Sequence, residues 1–582
     1  MNNYRLFDGA AQEVGFLPIS QSLGGIEIYP GPNTEQYRSS LYTVEVLRND
    51  QYYNTYVYVA SGLFWQNAYQ AADTLTSALF AISGTYPPVS FVTFGCSGTT
   101  TVRVSKRNGQ NINSIDIGPY RLAKTATITN NQATFQVSKN ENLWIVIDNS
   151  VSSPLFISAD PPKLDVPATL TTHVNGATYG GRAPSLYFGP GVYDIGQKFQ
   201  VSSGCMYYLD GGAYVRGSFD LSGQNDVSFV GPGVLSLENF DWWGAIKDLT
   251  SEQKLQYTAF FTGSSFNYYD GDISGNSVSG LTLIRAPFYA SKDSFKNVYN
   301  FKFLSPWNYN TDGIKVGSRM GDRLGVMKNT VMFAGDDLLF PQGSVNEGNC
   351  LYENIYLGAL EGAPITTYYP TYTFNGYFNL SGINIDIKTF QFSGYDPVKE
   401  VPKNSIFKYL SDGYAASPTY GIDHHTWINV NVENYCYVPL FMFDNRPYPF
   451  GTGNDQYGIT SAITLSGVYV TGNPTVLSSN IIQGLNTTQR PSNLTFTDVS
   501  INGTYIKFAN RNNYVKWVDT FGGGNVTNPS LYSDVNIKFL RSTAAKYWVK
   551  IAGTWREAIP WVKKGSTWEP SDAFVKDTGT WK

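Results

Sequence analysis

The chain has 582 residues, with 41 Lys and Arg against 45 Asp and Glu, a net charge of −4 at pH 7 and a pI near 5.6. That balance argues against nucleic acid as the main partner, which calls for a basic face, and the length exceeds one ordinary domain and suffices for a large buried core. Charged residues make up only 15% of the chain, against about 25% in an average domain, and 42 Tyr, 35 Phe and 12 Trp with abundant Gly, Asn, Ser and Thr favour strands and turns.

An all-β fold is therefore expected. The same aromatics would suit a carbohydrate partner, because the C–H face of a sugar stacks on a ring; they are also simply good strand residues.

The start, "MNNYRLFDGAAQEVG", has neither a basic nor an apolar signal region, so no secretory leader is expected there. No stretch approaches 18 apolar residues, so no membrane insertion is expected. Cys96, Cys205, Cys350 and Cys436 are too widely spaced for a disulfide framework or a metal site and read as buried small hydrophobes. Residues 63–82 are the clearest helix, with Trp65, Ala68, Ala72, Leu75, Leu79 and Ile82 in steps of three and four along one face. That seam packs either on its own domain or on another chain, which would allow a homotrimer. Residues 1–87 are taken as a small N-terminal module.

From 88 to 165 the segments "TTVRVSKRNG", "NSIDIGPY", "ATFQVSK" and "LWIVIDN" alternate like half-buried strands between Gly and Asn turns, the pattern of an antiparallel β-sandwich. Residues 166–540 change character. Short apolar–polar–apolar strands recur, with first apolar positions at Val227, Leu281, Phe301, Val331, Ile355, Ile383, Val430, Val468 and Val499. Intervals of 20–30 residues suit one turn of a parallel β-helix, and longer ones hold an inserted loop or two turns. An array of β-sandwiches is the alternative. Residues 541–582 carry a stricter repeat: "WVKIAGTW" from Trp548, "WVKKGSTW" from Trp561 and "FVKDTGTW" from Phe574, with Trp555, Trp568 and Trp581 at the same 13-residue period. Each unit reads as strand–turn–strand and would serve either as a docking element or as a stabilising cap.

The chemistry concentrates in "SPWNYNTDGIKVGSRMGDRLGVMKNTVMFAGDDLLF", residues 305–340. Asp312 is placed at the start of one short strand, "DGIKV", and Asp336 and Asp337 at the start of another, "DDLLF", about one solenoid turn later. Residues one turn apart stack on neighbouring strands about 4.8 Å apart, so the three carboxylates are expected to meet at one spot. Clustered carboxylates repel, which raises at least one pKa and keeps that acid protonated. One protonated acid and one ionised base are what glycoside hydrolysis needs; an inverting site sets them roughly 6.5–9.5 Å apart to admit a water. Two other readings of the same residues are turn capping by Asp-Gly and Gly-Asp and calcium binding; no metal is expected. Candidate sugar platforms are Trp307 and Tyr309 before Asp312, Tyr368 and Tyr369 after the third strand, and Trp242 and Trp243 in "FDWWGA".

The "NTDG" and "GDD" motifs resemble the signature of right-handed parallel β-helix polysaccharide hydrolases, the polygalacturonases (glycoside hydrolase family 28) and the dextranase/isopullulanase family 49. Family 49 is favoured. The sandwich preceding "YFGPGVYDIG" and "LDGGAYVRGSF" is similar to that family's N-terminal region, and the polygalacturonases' Gly-His-Gly and Arg-x-Lys motifs are missing: the region where the first would fall reads "LGALEGAPITT", and the histidines are His173, His424 and His425. The linker "GSRMGDRLGVMKN" departs from the family by a few extra residues. The resemblance implies inverting endohydrolysis of an α-glucan-like polysaccharide without a cofactor, Asp336 as general acid, and Asp312 and Asp337 holding and activating the water. The Trp-Lys repeats resemble the tails of some bacteriophage virion proteins. With no visible leader and further modules at both ends, a phage tail protein acting on host surface or capsular glycan is expected, bound to other virion tail proteins through 1–87 or 541–582. The rival readings are a non-catalytic virion receptor-binding or structural protein with a relict site, and a secreted extracellular glucanase.

Overall fold

The computed structural model describes residues 25–60 and most of 89–541, with short paired strands inside 6–14 and 547–581. The longer segments outside the described residues are 61–88, 164–168, 241–245, 263–274, 306–310, 318–324, 340–349, 369–379, 389–404, 411–420, 434–438, 445–458, 473–479, 485–490, 520–535 and 542–546. The helix expected over 63–82 falls in one of them.

Two sheets form first. Tyr42–Arg48 alternates buried and half-buried residues, so its apolar face needs a partner layer. It pairs antiparallel with Thr99–Lys106, Val44 opposite Val104, in a five-stranded sheet. Val89–Cys96, Glu141–Ile147 and Leu155–Asp160 belong to the second sheet. Val44, Val46, Val102, Phe135 and Val137 of one sheet share a core with Phe94, Leu143, Ile145, Leu155 and Ile157 of the other. This two-sheet unit does not begin at 88. Ile26–Glu27 and Tyr58–Ala60 both pair with Val89–Cys96, so strands assigned from sequence to an N-terminal module complete both sheets.

Unlike Tyr42–Arg48, the strands of the second sheet are buried on both faces. Phe91, Trp144, Val146 and Phe156 turn away from the shared core and pack on Tyr214, Ile284, Leu304, Val331, Phe333 and Tyr356. Trp144 and Phe333 stack with ring centroids 4.2 Å apart and planes 4° apart. Ion pairs add register: the Arg121 guanidinium reaches Asp386 at 2.8 Å, and the buried Lys302 ammonium meets Asp160.

The residues under this unit build a parallel β-helix. One parallel ladder runs from Thr171–Thr172 to Lys538–Leu540, and a second wall runs Ile365–Tyr368, Phe407–Leu410, Phe441–Asp444, Asn480–Gly484 and Val515–Asp519. Ile355, Ile385, Val430, Val468 and Val499 stack turn upon turn in one interior column. The residue preceding each of the first three members is an asparagine in the left-handed backbone region: Asn354, Asn384 and Asn429, with φ of 55°, 56° and 56°. Asparagine tolerates that conformation better than other side-chain-bearing residues. Here it also forms a ladder: Asn354 Nδ2 donates to Asn329 Oδ1 (3.2 Å), Asn384 Nδ2 to Asn354 Oδ1 (3.1 Å) and Asn429 Nδ2 to Asn384 Oδ1 (2.6 Å). Near the C-terminus, three antiparallel strand pairs set Lys550 opposite Trp555, Lys563 opposite Trp568 and Lys576 opposite Trp581.

Asn354→Ala forces an ordinary side chain into the left-handed region and removes two carboxamide bonds, at an expected cost of roughly 2–5 kcal/mol. Asn354→Gly frees the backbone and should cost about half as much. Thermal unfolding of both variants measures the difference; equal losses would show that the backbone conformation contributes nothing.

Candidate active site

Two hydrogen bonds position the carboxylates. The Gly335 N–H donates to Thr311 Oγ1 at 2.7 Å, and the Gly313 N–H donates to the Asp337 carbonyl at 2.9 Å. The two contacts bracket a register in which Asp312 lies beside Asp336 on the next turn. The longer linker between the motifs therefore does not displace it. Gly313 is required by this approach: a Cβ there would collide with the Leu338 carbonyl oxygen and Met332 Sδ. Each letter of "TDG" thus has a physical task, the threonine as acceptor, the aspartate as the carboxylate and the glycine as the gap that lets the next turn close.

The strands end earlier than sequence suggests. Val331–Ala334 is strand, but Gly335 and Asp336 form a bend, and Leu339 makes only a single bridge to Ile365. Asp312 likewise precedes its short strand, Lys315–Val316, rather than opening it. Because Asp336 and Asp337 are not in a strand, the rule that neighbours point to opposite faces does not apply to them.

Asp312 and Asp337 are buried and Asp336 is half-buried. Asp337 Oδ1 accepts from the Ala363 N–H and from the Thr366 hydroxyl, both at 2.8 Å. Thr366 stands in Ile365–Tyr368 opposite Lys408 of the next turn, whose side chain is buried. Burial pushes the Asp336 carboxyl up to about 7, the charge of Asp337 adds to the rise, and Lys408 and the Asp337 N–H oppose it. Asp312 is raised well above the ordinary carboxylate range, first by burial and then by the charges of Asp336 and Asp337, against the pull of Lys315 and Lys408. The arrangement holds a proton on a partly accessible carboxyl up to about pH 7, next to a second carboxyl fixed by two donors, an arrangement suited to acid–base chemistry.

Thr311, Lys315, Thr366 and Lys408 were not singled out from sequence. Lys408 carries a readable signal, a lone charge in the apolar strand "IFKYL". Trp242, Trp243, Trp307, Tyr309 and Tyr369 lie outside the described residues, and Tyr368 is described only by its place at the end of Ile365–Tyr368, opposite Leu410. His425 is structural: buried, with a pKa driven down to about 3 by burial and then by His424, and hydrogen-bonded through Nδ1 to the Tyr409 hydroxyl at 3.1 Å. Among the described residues no group of three or more His, Cys, Asp or Glu is placed to hold a metal ion.

No family model matches the chain. Among curated proteins, a dextranase of Arthrobacter globiformis is 28% identical over 188 residues, covering 27% of this chain and 26% of that protein. A dextranase of Arthrobacter sp. (strain CB-8) is 28% identical over 172 residues, covering 26% of this chain and 25% of that protein. The match thus spans about a quarter of the length of these relatives. Among solved structures, Dex49A from Penicillium minioluteum superposes with a TM-score of 0.61 at 16% identity, over 88% of this chain and 96% of that chain. The fold is therefore dextranase-like.

The raised carboxyls carry a stability signature. Asp336 binds its proton more tightly folded than unfolded, so its contribution is fully present below the unfolded pKa near 4 and is lost as pH rises through about 7. Asp336→Asn is expected to raise the melting temperature at pH 8 by several degrees and to change it little at pH 4. Melting curves across that range check it; a uniform shift at all pH values would contradict the electrostatic account.

Proposed function

We propose that the chain is an inverting endo-glycoside hydrolase, a polysaccharide depolymerase acting on an α-glucan-like or host surface polysaccharide. The observation that supports it most is the stacking of Asp312 on Asp336, with Asp337 tied to Ala363 and Thr366 on the following turn. Asp336 is the general acid: it is the most accessible of the three and the one whose proton is held to about 7. It gives that proton to the departing glycosidic oxygen. A water on the opposite face of the ring attacks the anomeric carbon, and its proton passes to the base. Asp337, its Oδ1 held by the Ala363 N–H and the Thr366 hydroxyl, takes the base role. Asp312, buried and pressed by both neighbours, orients the water. The names of the curated relatives make dextran the first substrate to test.

We place the protein in a virion tail, assembled as a homotrimer and in contact with other tail proteins through 1–87 or 541–582. The three strand pairs with Lys opposite Trp support a repeated contact surface; mass spectrometry of purified particles tests the placement.

Reducing-end release from dextran, pullulan and capsular polysaccharide is expected to fall by roughly 10²–10⁴-fold in Asp336→Asn, and the first-formed product should carry the inverted anomeric configuration by NMR. Activity should decline as pH rises through about 7, where Asp336 loses its proton. Lys408→Met removes a charge that lowers both raised carboxyls and should move that alkaline limb upward. Full activity in the Asp336 variant, or retention of configuration, would sink the assignment.

A further inference from the structure

We propose that the seam between the two-sheet unit and the later turns of the β-helix is a proton-dependent latch, closed below neutral pH and loosened above it. The latch uses none of the three candidate catalytic carboxylates and rests on no reading of the reaction. The two-sheet unit contributes Asp116 from the strand Ile115–Gly118, and Tyr120 and Arg121 from the single turn that follows. The β-helix contributes Tyr356 from Cys350–Ala359, Asp386 and Lys388 from Leu380–Lys388, and Asn431 and Glu433 from His425–Glu433. Strand register sets Asp386 between Tyr356 and Asn431, and Lys388 beside Glu433.

Polar contacts close the seam. Both Asp386 oxygens accept from the Arg121 guanidinium, the shortest contact at 2.8 Å. The Tyr120 N–H donates to Glu433 Oε1. Lys388 Nζ stands 3.5 Å from Asp116 Oδ2 and 3.7 Å from Glu433 Oε2, and 5.2 Å from the centre of the Tyr120 ring. The fit is close: a Cβ on Gly118 would come within 2.5 Å of the Tyr356 hydroxyl and 2.8 Å of Glu433 Oε2. Tyr356 stands opposite Val331, the first residue of the strand that leads into Asp336, so the latch bears on the turn that carries the candidate active site.

The charges across the seam do not balance. Among the described residues, three acids, Asp116, Asp386 and Glu433, face two cations, Arg121 and Lys388. Glu433, Asp386 and Lys388 are only 1%, 2% and 3% exposed. An uncompensated charge in such a place is costly, so closure favours a proton on one of the acids. Glu433 is the one that takes it. Asp386 has the guanidinium and, at 3.3 Å, the Asn431 carboxamide; Asp116 is half-buried; and Glu433 shares its one cation with Asp116. Burial pushes the Glu433 carboxyl up to about 7; Lys388 and the Tyr120 N–H oppose the rise, and Asp386 and Asp116 add to it. Burial raises Asp386 too, against the pull of Arg121. A raised acid stabilises closure fully below its ordinary value near 4.5, and that contribution is lost as pH rises through about 7.

The test is amide hydrogen exchange on the full chain at about pH 5.5 and about pH 8.5, expressed as protection so that the intrinsic pH dependence of exchange drops out. The reporter is residues 120–123, whose first N–H bonds to Glu433. The control is Gln132–Ser138, a strand that buries Ala133, Phe135 and Val137 in the core shared by the two sheets. Reporter protection in the wild type is expected to fall at least about tenfold between the two pH values while the control holds. Glu433→Gln keeps an oxygen for the Tyr120 N–H and should abolish the fall. Asp116→Asn evens the charge count at a half-buried position and should shrink it. Thermal melts verify that both variants fold. Equal reporter protection at both pH values in the wild type, a fall matched by the control, or a fall unchanged in the folded variants overturns the proposal. The measurement uses no substrate, so its outcome is independent of glycan cleavage.

Discussion

In a parallel β-helix each backbone hydrogen bond between turns also decides which side chains become neighbours, so register is chemistry. Here the register over the site is held by the Gly335–Thr311 and Gly313–Asp337 contacts, and over the turns from Asn329 to Asn429 by asparagine carboxamides bonded turn to turn. A slip of one residue would turn the interior column outward and move Asp312 off Asp336. The burial of Ile355, Ile385, Val430 and Val468 therefore supplies the energy that keeps the carboxylates together against their repulsion.

That repulsion is substantial because most of the site is buried. Two of the three acids are buried, and a carboxylate without compensation is costly there. The structure offsets the cost in different ways for each. Asp337 receives two donors, Asp336 keeps a proton and partial access to water, and Asp312 is raised while Lys315 and Lys408 limit the rise. The two lysines hold the cluster in an intermediate state. Without their charge the two raised groups would bind protons more tightly; with more positive charge Asp336 would release its proton at a lower pH. The burial that raises Asp312 and Asp336 costs stability locally, the usual relation between such a site and its scaffold.

The two-sheet unit belongs to the same mechanical system. Trp144 stacks on Phe333, and Phe333 lies in the strand Val331–Ala334 that leads directly into Gly335, Asp336 and Asp337. Packing the second sheet onto that strand removes its freedom to shift. Arg121 on Asp386 and Asp160 on Lys302 repeat the attachment on other turns. The unit thus braces the turns that carry the site.

How far the sequence revealed this can be judged residue by residue. The strand texture, the solenoid period and the meeting of Asp312 with Asp336 were legible, because apolar alternation and motif spacing are local and survive in one dimension. The phase of the turns was not. Choosing the first apolar residue of each strand selects Val331 and Ile383, whereas the residues stacked in the column of Ile355 and Val430 are Thr330 and Ile385. Hydrophobicity does not distinguish the two choices; backbone conformation does. Counting instead from Asn300, Asn329, Asn354, Asn384 and Asn429, all with positive φ, places these five turns in register without reference to burial. The strands at 26–60 were misassigned for a related reason. Ile26–Glu27, Tyr42–Arg48 and Tyr58–Ala60 each pair with a strand beyond 61–88, and pairing across such a distance leaves no mark in either segment alone. Lys408 and Thr366 enter the site from later turns by the same long-range stacking. A polar residue inside an apolar strand, together with an asparagine that fixes which turn it stands on, is the combination that would have located both.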